Sequence, residues 1–589
     1  VCNRFPRGNR APWFREKQQQ GTTMSKPEKI WSSKEQAEEY GTSGERDYVL
    51  GIDTGGTYTD GVLLDYRSRQ VLASAKSLTT YEDLTKGISA VLRELKVESP
   101  QQVKLVGISS TLATNSIAQG NMKPVGLALV GYDPELLAGY GLESKFATDT
   151  FAYFRGGHNA QGEEREPLDV QGLLDWFRQN RDRMEALAIS SYFSPLNPEH
   201  EEQALSALRE VTDIPVVLGH QLSTQLDSVK RASTASLNAS LVAVMHEFIQ
   251  AVRASLKETG FNAPLMIVKG DGSLMPYTEA VQKPVETVLS GPSASTMGGR
   301  FLAGLNSALV IDVGGTTTDM ALVEDGSIAV TDGGVRVGNI ETAVRAARIR
   351  TACLGCDSRI RIDSPEEFQV GPDRVVPLSR LVNLYPDLAE EVVRVDQRRR
   401  RGRSQADVEY LFAAREVESD SPLLEDPKKK QLLDLLRERP RSLHEVLQEM
   451  GLNHPVQLNT QELLQGGYIA WAGLTPTDLL HFKGEMDLGH AEAATQALKH
   501  VCSIHGCRPG ELADSILEHM VTRMCEEAVI FLARQTVETL PEELDGSWGI
   551  WFFRQAMSPD NPHLSVSLAS RYPVIGIGAP AEKFVRWVA

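Results

Sequence analysis

Residues 51–60 read Gly-Ile-Asp-Thr-Gly-Gly-Thr-Tyr-Thr-Asp, and residues 310–319 read Val-Ile-Asp-Val-Gly-Gly-Thr-Thr-Thr-Asp. Both copies contain the pattern I-D-x-G-G-T-x-T-D, and they begin 259 residues apart. An apolar run precedes each copy and another follows it, which predicts a strand, a glycine-rich turn and a second strand. Aspartate-containing turns then lead to a third strand. The sequence therefore predicts an internal repeat, each half of which opens with a β-meander.

The turn in each copy has the composition of a phosphate-binding loop. Paired glycines lack Cβ atoms, so successive backbone N–H groups can approach an anion, and the threonines add hydroxyl donors. Asp53 and Asp312 end the first strands and are suited to hold Mg²⁺ directly or through water. Two such hairpins that face each other would hold the β- and γ-phosphates of a nucleotide. A tight hairpin without a ligand explains one copy, but it explains two near-identical copies poorly.

Other nucleotide-binding motifs do not fit the sequence. No G-x-x-x-x-G-K-[ST] motif occurs, so a P-loop is excluded. Residues 574–581 formally match G-x-G-x-x-A, but a dinucleotide site needs a βαβ unit of about 30 residues and a later acidic residue. The residues that follow do not supply them.

Length and composition limit the class of protein. The chain has 589 residues, which predicts at least two domains. With 78 acidic and 61 basic side chains the formal charge is −17, which disfavours binding to nucleic acid or to anionic membranes. No apolar run reaches the roughly 18–20 residues of a membrane-spanning helix. Six cysteines without a secretory signal predict a reducing, cytoplasmic location. Residues 1–46 are expected to be a disordered leader.

The paired hairpins resemble the two phosphate motifs of the sugar kinase/heat-shock protein/actin superfamily. Residues 574–579 resemble its adenosine motif in composition and position. The resemblance implies an α/β fold with two actin-like (ribonuclease H-like) ATPase domains around a nucleotide cleft. The expected domains are residues 47–225 and 226–589. The superfamily pattern continues beyond the adenosine motif with a further strand and helix, which implies an ATP domain that is incomplete at Ala589.

Further segments resemble the hydantoinase A/5-oxoprolinase family, of the N-methylhydantoinase A type. They occur in the family's order at residues 111–115, 191–201, 220–223, 290–294, 355–358 and 473–478. The resemblance implies an ATP-dependent hydrolase that phosphorylates the carbonyl oxygen of a cyclic amide such as a hydantoin or 5-oxoproline. A hydantoinase B-like second subunit, or a homo-oligomer, is the implied partner. Two alternatives stay open: the ATPase subunit of an acetone- or acetophenone-type carboxylase, and a non-catalytic ATP-gated regulator.

The resemblance also implies roles for individual residues. Asp53 and Asp312 would bind Mg²⁺, and Thr114 and Asn115 would contact the substrate near the γ-phosphate. Asp319 is a candidate catalytic residue, although stabilisation of its hairpin is the competing explanation. The residues expected to contact ATP are Gly55, Gly56, Thr57, Gly314, Gly315 and Thr316 at the phosphates and Gly576 and Gly578 at the adenosine.

Several candidate residues also have ordinary structural explanations. Thr475, Pro476 and Asp478 have the spacing of a helix start, with an N-cap, a proline at the first helical position and an acid at the third. Residues 290–293 are a candidate anion-facing turn. His158, His200 and His220 are candidate bases or ligands, but a lone histidine is more often structural.

A zinc site is a weaker hypothesis. Cys353 and Cys356, together with His500, Cys502, His505 and Cys507, have ligand-like spacing for tetrahedral Zn²⁺. Two unrelated groups of thiols are the simpler explanation.

Residues 380–470 depart from the simple fold. Helical patterns near 428–437, after the capping pair Ser442 and Glu445, and near 460–464 precede a predicted hairpin at 466–471. Three helices and a hairpin suggest a winged-helix-like insertion. Such domains can bind DNA, but the acidic chain disfavours it, and the arginine run at 398–403 is expected to be a solvated loop.

Overall fold

A computed structural model describes residues 48–55, 58–79, 84–120, 122–331, 333–337, 340–395, 404–418, 421–487, 489–535 and 569–588. The predicted leader at 1–46, the candidates Gly56 and Thr57, and the arginine run at 398–403 lie outside these residues. The described residues form an α/β fold. Among them, no helix has both the length and the apolar character needed to cross a membrane.

Residues 48–303 form these strands and helices in chain order: β1 (Tyr48–Thr54), β2 (Tyr58–Asp65), β3 (Val71–Leu78), α1 (Leu84–Glu94), β4 (Val103–Ser110), α2 (Leu112–Gln119), β5 (Val125–Val130), α3 (Pro134–Gly139), β6 (Thr150–Phe154), α4 (Val170–Asn180), β7 (Ala186–Ser191), α5 (Glu199–Arg209), β8 (Val216–Leu218), α6 (Ser228–Glu258), β9 (Leu265–Val268), β10 (Leu274–Pro276), α7 (Tyr277–Gln282) and α8 (Ser290–Ala303).

Residues 308–588 continue with β11 (Ala308–Val313), β12 (Thr318–Glu324), β13 (Ser327–Ile328), β14 (Val330–Thr331), β15 (Arg336–Val337), β16 (Ile340–Glu341), β17 (Ala346–Ala347), β18 (Ile349–Ala352), β19 (Ser358–Ser364), β20 (Glu367–Arg374), β21 (Val376–Pro377), α9 (Leu378–Leu384), α10 (Ala389–Val393), β22 (Tyr410–Ala413), α11 (Pro427–Glu438), β23 (Arg441–Ser442), α12 (Leu443–Glu449), α13 (Gln461–Gln465), β24 (Ile469–Gly473), α14 (Pro476–Phe482), α15 (Ala491–His505), α16 (Pro509–Ala533), β25 (Val574–Ile577) and α17 (Ala581–Val588).

The described residues group into two compact units. Among the described residues, the N-terminal unit comprises 48–302 together with 322–348, and the C-terminal unit comprises 303–321 and those from 349 onward. The helix α6, which follows the predicted boundary at 225 and 226, belongs to the N-terminal unit. The predicted domain boundaries and the actin-like assignment of each domain stay predictions.

The N-terminal unit is built on two sheets. In the larger, with strand order β10-β9-β4-β1-β2-β3, β1 pairs antiparallel with β2 and parallel with β4. The smaller sheet, β6-β5-β7-β8, is parallel throughout. Every residue of β5 and β7 is buried, as expected for parallel strands covered on both faces. The predicted meander at the start of this unit is confirmed by the pairing of β1, β2 and β3.

Helices of this unit follow from local sequence. In α1, Ile88, Val91 and Leu92 are buried at helical spacing and pack on the larger sheet. Asp227 caps the N-terminus of the long helix α6, and its side chain accepts a hydrogen bond from the backbone N–H of Lys230 at 3.0 Å. An aspartate at this position satisfies one of the donors that a helix start leaves open.

The C-terminal unit repeats the opening of the first. Strand β11 pairs in parallel with β25, and β12 pairs antiparallel with β18. The predicted strands around residues 310–319 are confirmed as β11 and β12, and the helix α17 follows β25. A separate core gathers apolar side chains from α9, α15 and α16, among them Leu381, Leu498 and Ile516.

The insertion at 380–470 contains the three predicted helices as α11, α12 and α13, but the predicted hairpin at 466–471 is wrong. Gly466 and Gly467 end α13, and β24 follows as a single strand. Its antiparallel partner is β22, which precedes all three helices. The glycine pair is therefore a helix end rather than a hairpin turn. The winged-helix description stays a prediction.

Candidate functional site

The first Asp-Gly-Gly loop lies between β1 and β2 in the N-terminal unit. The Ser109 hydroxyl at the end of β4 donates to Asp53 Oδ1 at 2.6 Å, and Thr54 Oγ1 donates to the Ser109 carbonyl at 3.1 Å. The loop closes through the backbone N–H of Gly55, which donates to the Tyr58 carbonyl at 3.0 Å. The parallel pairing of β1 with β4 thus orients the half-buried Asp53 carboxylate.

The second loop lies between β11 and β12 in the C-terminal unit. It closes through the same bond at the equivalent position, from the N–H of Gly314 to the Thr317 carbonyl at 2.9 Å. Asp312 is half-buried at the end of β11, Gly315 is half-buried, and Thr316 is exposed. The sequence repeat is therefore also a repeat of backbone structure.

A turn at residues 353–358 packs directly on this second loop. The backbone N–H of Cys356 donates to the Gly314 carbonyl at 3.0 Å, and that of Asp357 donates to the Gly315 carbonyl at 2.7 Å. A Cβ atom on Gly355 would lie 2.3 Å from the Gly315 carbonyl oxygen. The sequence analysis missed this support, because nothing local in the cysteine-containing segment indicates its partner.

We expect Gly355→Ala to weaken nucleotide binding by about 10-fold. The added methyl overlaps the backbone of the second loop, and such overpacking costs about 1–3 kcal/mol. Isothermal titration with an ATP analogue measures the change. Gly510→Ala is the matched control, because Gly510 lies in the same unit with no atom within 4 Å of its added Cβ. Equal affinities in both variants would contradict the prediction.

Asp319 is held by the neighbouring strand. Its Oδ1 accepts a hydrogen bond from the Thr351 hydroxyl at 2.6 Å, across the β12–β18 pairing. Burial is the main cause that raises the pKa of Asp319; the Thr351 bond opposes it, and the nearby negative charge of Asp312 raises it further. These contacts explain its place in the hairpin, and a catalytic role for Asp319 stays a prediction.

The candidate adenosine residues lie beside the second loop. Strand β25 pairs with β11, so that Asp312 is opposite Ile577. Gly578 has a φ of +99°, and a Cβ there would lie 2.2 Å from the Val313 carbonyl oxygen, so only glycine fits. Gly576 packs instead on the Val585 side chain of α17. This motif thus lies next to the second Asp-Gly-Gly loop, whereas its adenosine contacts stay predictions.

Thr114 and Asn115 lie at the start of α2, after β4. Thr114 Oγ1 accepts from the N–H of Leu289 at 3.3 Å, and Asn115 Nδ2 donates to Thr111 Oγ1 at 3.0 Å. Residues 290–293, predicted as an anion-facing turn, are instead the first turn of α8, and their contact with an anion stays a prediction. The hydroxyls of Ser290 and Ser293 donate to the carbonyls of Ser110 and Gly270.

The candidates at Thr475 and in the cysteine and histidine groups have structural explanations. The predicted helix start at Thr475 is confirmed, with a capping box to Asp478. The zinc hypothesis is wrong for the described residues, where no three His, Cys, Asp or Glu side chains come close enough to hold a metal ion. Cys356 is buried beside the second loop, and His500 is buried 3.3 Å from Asp407.

The two loops suit magnesium and a nucleotide. Each ends a strand with a half-buried carboxylate, and carboxylate oxygens are preferred ligands of Mg²⁺. Because residue 578 is a glycine, the backbone after β25 can lie close to the Val313 carbonyl and to the Asp312 carboxylate. Glycine-rich backbone after a strand is suited to phosphate oxygens.

Two family models match the chain in order. The model described as hydantoinase/oxoprolinase N-terminal region matches residues 49–212, and the model described as hydantoinase/oxoprolinase matches residues 231–377. Together they cover more than half of the residues.

Individual relatives are distant. Caprolactamase subunit alpha of Pseudomonas jessenii is 27% identical over 55% of this chain and 50% of its own length. The acetophenone carboxylase gamma subunit of Aromatoleum aromaticum is 27% identical over 47% of this chain and 43% of its own length. The crystal structure of the ATP-dependent caprolactamase from Pseudomonas jessenii aligns with a TM-score of 0.53 and 20% identity, over 82% of this chain and 63% of that one.

The chain spans about half the length of the curated relatives it matches. The solved structure shares the fold, and both named relatives are subunits. With the repeated loop geometry and both models matched in order, the chain belongs to the hydantoinase/oxoprolinase family.

Proposed function

We propose that this protein uses ATP to phosphorylate the carbonyl oxygen of a cyclic amide, as the activating step of ring hydrolysis. The observation that carries the proposal is the repeated loop closure, Gly55 to Tyr58 and Gly314 to Thr317, with an aspartate at the end of each preceding strand. Family membership and the likeness to a caprolactamase subunit support the amide class.

Phosphorylation of an amide oxygen is a reaction to which the residues of the two Asp-Gly-Gly loops are suited. An amide carbonyl is a poor electrophile, and phosphate on its oxygen creates a good leaving group, so the protein mainly positions the reactants and stabilises charge. Asp53 and Asp312 would hold Mg²⁺, which would neutralise phosphate charge. Gly55 and Gly314, whose own N–H groups close the loops, would give phosphate oxygens close access because they lack Cβ atoms, and Gly315 would present its backbone N–H group.

A second subunit would complete the reaction. Both curated relatives named above are subunits, and the matched region is about half of each. We therefore propose that this chain carries out activation and that a partner subunit hydrolyses the activated ring. The acetophenone carboxylase likeness favours one other candidate, the ATP-using subunit of a ketone carboxylase.

We expect cyclic amides to stimulate ATP turnover of the purified chain with Mg²⁺. The measurement is ADP formation with ε-caprolactam, 5-oxoproline or hydantoin, and in parallel with acetone or acetophenone plus bicarbonate. Stimulation by an amide alone would support the proposal. Stimulation that requires a ketone and bicarbonate would replace it with the carboxylase function. ATP turnover that no compound changes would contradict both and favour a regulator.

A further inference from the structure

A carboxylate and an imidazole form a pair in the N-terminal unit. Glu201 on α5 is fully buried, and its Oε2 lies 2.6 Å from Nδ1 of His220, which follows β8. The same carboxylate accepts backbone N–H bonds from Ser191 at 2.8 Å and from His220 at 2.9 Å. A hydrogen bond from Nδ1 to this carboxylate leaves Nε2 as the ring nitrogen that can accept a proton, and Nε2 lies 3.9 Å from Oε1 of the exposed Glu202. Such orientation by a carboxylate is characteristic of general bases.

His220 lines a cavity of about 420 Å³ in the same unit. This volume is within the range of pockets that bind small molecules. The rest of the wall comes from the segment after His220, the turn after β9, the segment between α7 and α8, and residues before β17. It includes Gln221, Lys269, Glu286 and Arg345. His220, which is held by the Glu201 carboxylate, thus lines a cavity large enough for a small substrate.

The cavity lies at the sheet edge that carries the first phosphate loop. Asp53 at the end of β1 is opposite Ser109 of β4, and Ile108 of β4 is opposite Ile267 of β9. Lys269, which lines the cavity, follows β9 at the same carboxyl edge. Two strand spacings, or about 10 Å, separate the ends of β1 and β9. Ligands of open α/β sheets bind at this edge.

The charges around the cavity favour a neutral ligand. Lys269 forms an ion pair with Glu286 at 2.7 Å. Burial acts to lower the pKa of Lys269, but the bond to Glu286 and the surrounding carboxylates outweigh it and raise the pKa. Arg345 and Asp271 supply one further charge of each sign, so the formal charges of the four side chains cancel. Gln221 and Gln225 add amide donors and acceptors suited to an amide substrate.

We propose that this cavity binds a neutral cyclic amide and that His220 is the catalytic base that removes the amide proton; this rests on the proposed function. The N–H proton moves to Nε2 of His220, and the N–H electron pair forms a C=N bond. The carbonyl π electrons move to oxygen, which attacks the γ-phosphorus of ATP. The bond from that phosphorus to the bridging oxygen breaks, and ADP leaves. Glu201 is a positioning residue that holds the imidazole.

The test compares His220→Ala with wild type and with His246→Ala, a control at an exposed histidine of α6. ADP formed in the first turnover with ε-caprolactam is measured, so that no second subunit is needed. We expect the single-turnover rate constant at saturating ε-caprolactam to fall about 10²- to 10⁴-fold, the half-saturating caprolactam concentration to change little, and added imidazole to restore part of the rate. Affinity for an ATP analogue should be unchanged. His220→Gln, which can still bond to Glu201, should show the same loss if His220→Ala does not fold.

The outcomes separate the two proposals. Turnover within about 3-fold of wild type in both His220 variants, or a loss that imidazole does not rescue in folded His220→Ala, would overturn the assignment of His220 and leave the proposed function standing. A wild-type chain that no cyclic amide stimulates would overturn the proposed function itself.

Discussion

Asp312→Asn is expected to lower amide-dependent ATP turnover by at least about 100-fold while the protein stays folded. The asparagine has nearly the same shape, so the β11–β25 pairing that holds residue 312 opposite Ile577 should persist. What is lost is a negative charge at the end of the strand, and with it the carboxylate that we propose binds magnesium in this unit. Because Asp312 raises the pKa of Asp319, the substitution should also lower that pKa.

Two measurements distinguish this role from a structural one. Turnover as a function of Mg²⁺ concentration should need more metal in the variant, and its thermal melting temperature should match wild type within a few degrees. Asp363→Asn, at an exposed aspartate of β19 in the same unit, is the matched control. A variant with wild-type turnover and metal dependence would remove Asp312 from the site and leave the loop as a structural hairpin.

The parts of the fold that the sequence predicted correctly depend on local patterns. The two Asp-Gly-Gly loops, the strands beside them and the helix start at Thr475 each use hydrogen bonds between residues a few positions apart. The bond from Gly55 to Tyr58 is one example. Such bonds leave a signature in a short stretch of sequence, and the repeat doubled that signature.

The parts that could not be predicted depend on partners far apart in the chain. Ser109 bonds to Asp53 across 56 residues, and the Cys356 turn packs on Gly314 of the second loop. Strand β24 pairs with β22 across three helices, which is why the predicted hairpin was wrong. His220 was singled out only as a lone histidine, because its partner Glu201 is 19 residues away on a different element. In each example the structure is determined by contacts between residues that are distant in the sequence.

Asp478→Ala is expected to lower the free energy of unfolding by about 3–5 kcal/mol. The side chain is fully buried at the first turn of α14. Its two oxygens accept from the N–H groups of Leu378, Ser379 and Thr475 at 2.9–3.1 Å, and from the Thr475 hydroxyl at 2.9 Å. Alanine leaves these donors buried without an acceptor, at a cost of about 1–3 kcal/mol each before the surroundings relax.

The same substitution should also weaken nucleotide binding, because α14 supports the second loop. The backbone N–H and the hydroxyl of Thr477 both donate to the Cys356 carbonyl at 2.9 Å, and the turn at Cys356 holds Gly314 in place. Chemical unfolding measures the stability, and titration with an ATP analogue below the unfolding midpoint measures the affinity. Asp487→Ala, at an exposed aspartate after α14, should change neither quantity. A loss of stability with unchanged nucleotide affinity would mean that the turn at 353–358 holds the second loop without help from α14. Unchanged stability and unchanged affinity would show that Asp478 is dispensable as a hydrogen-bond acceptor.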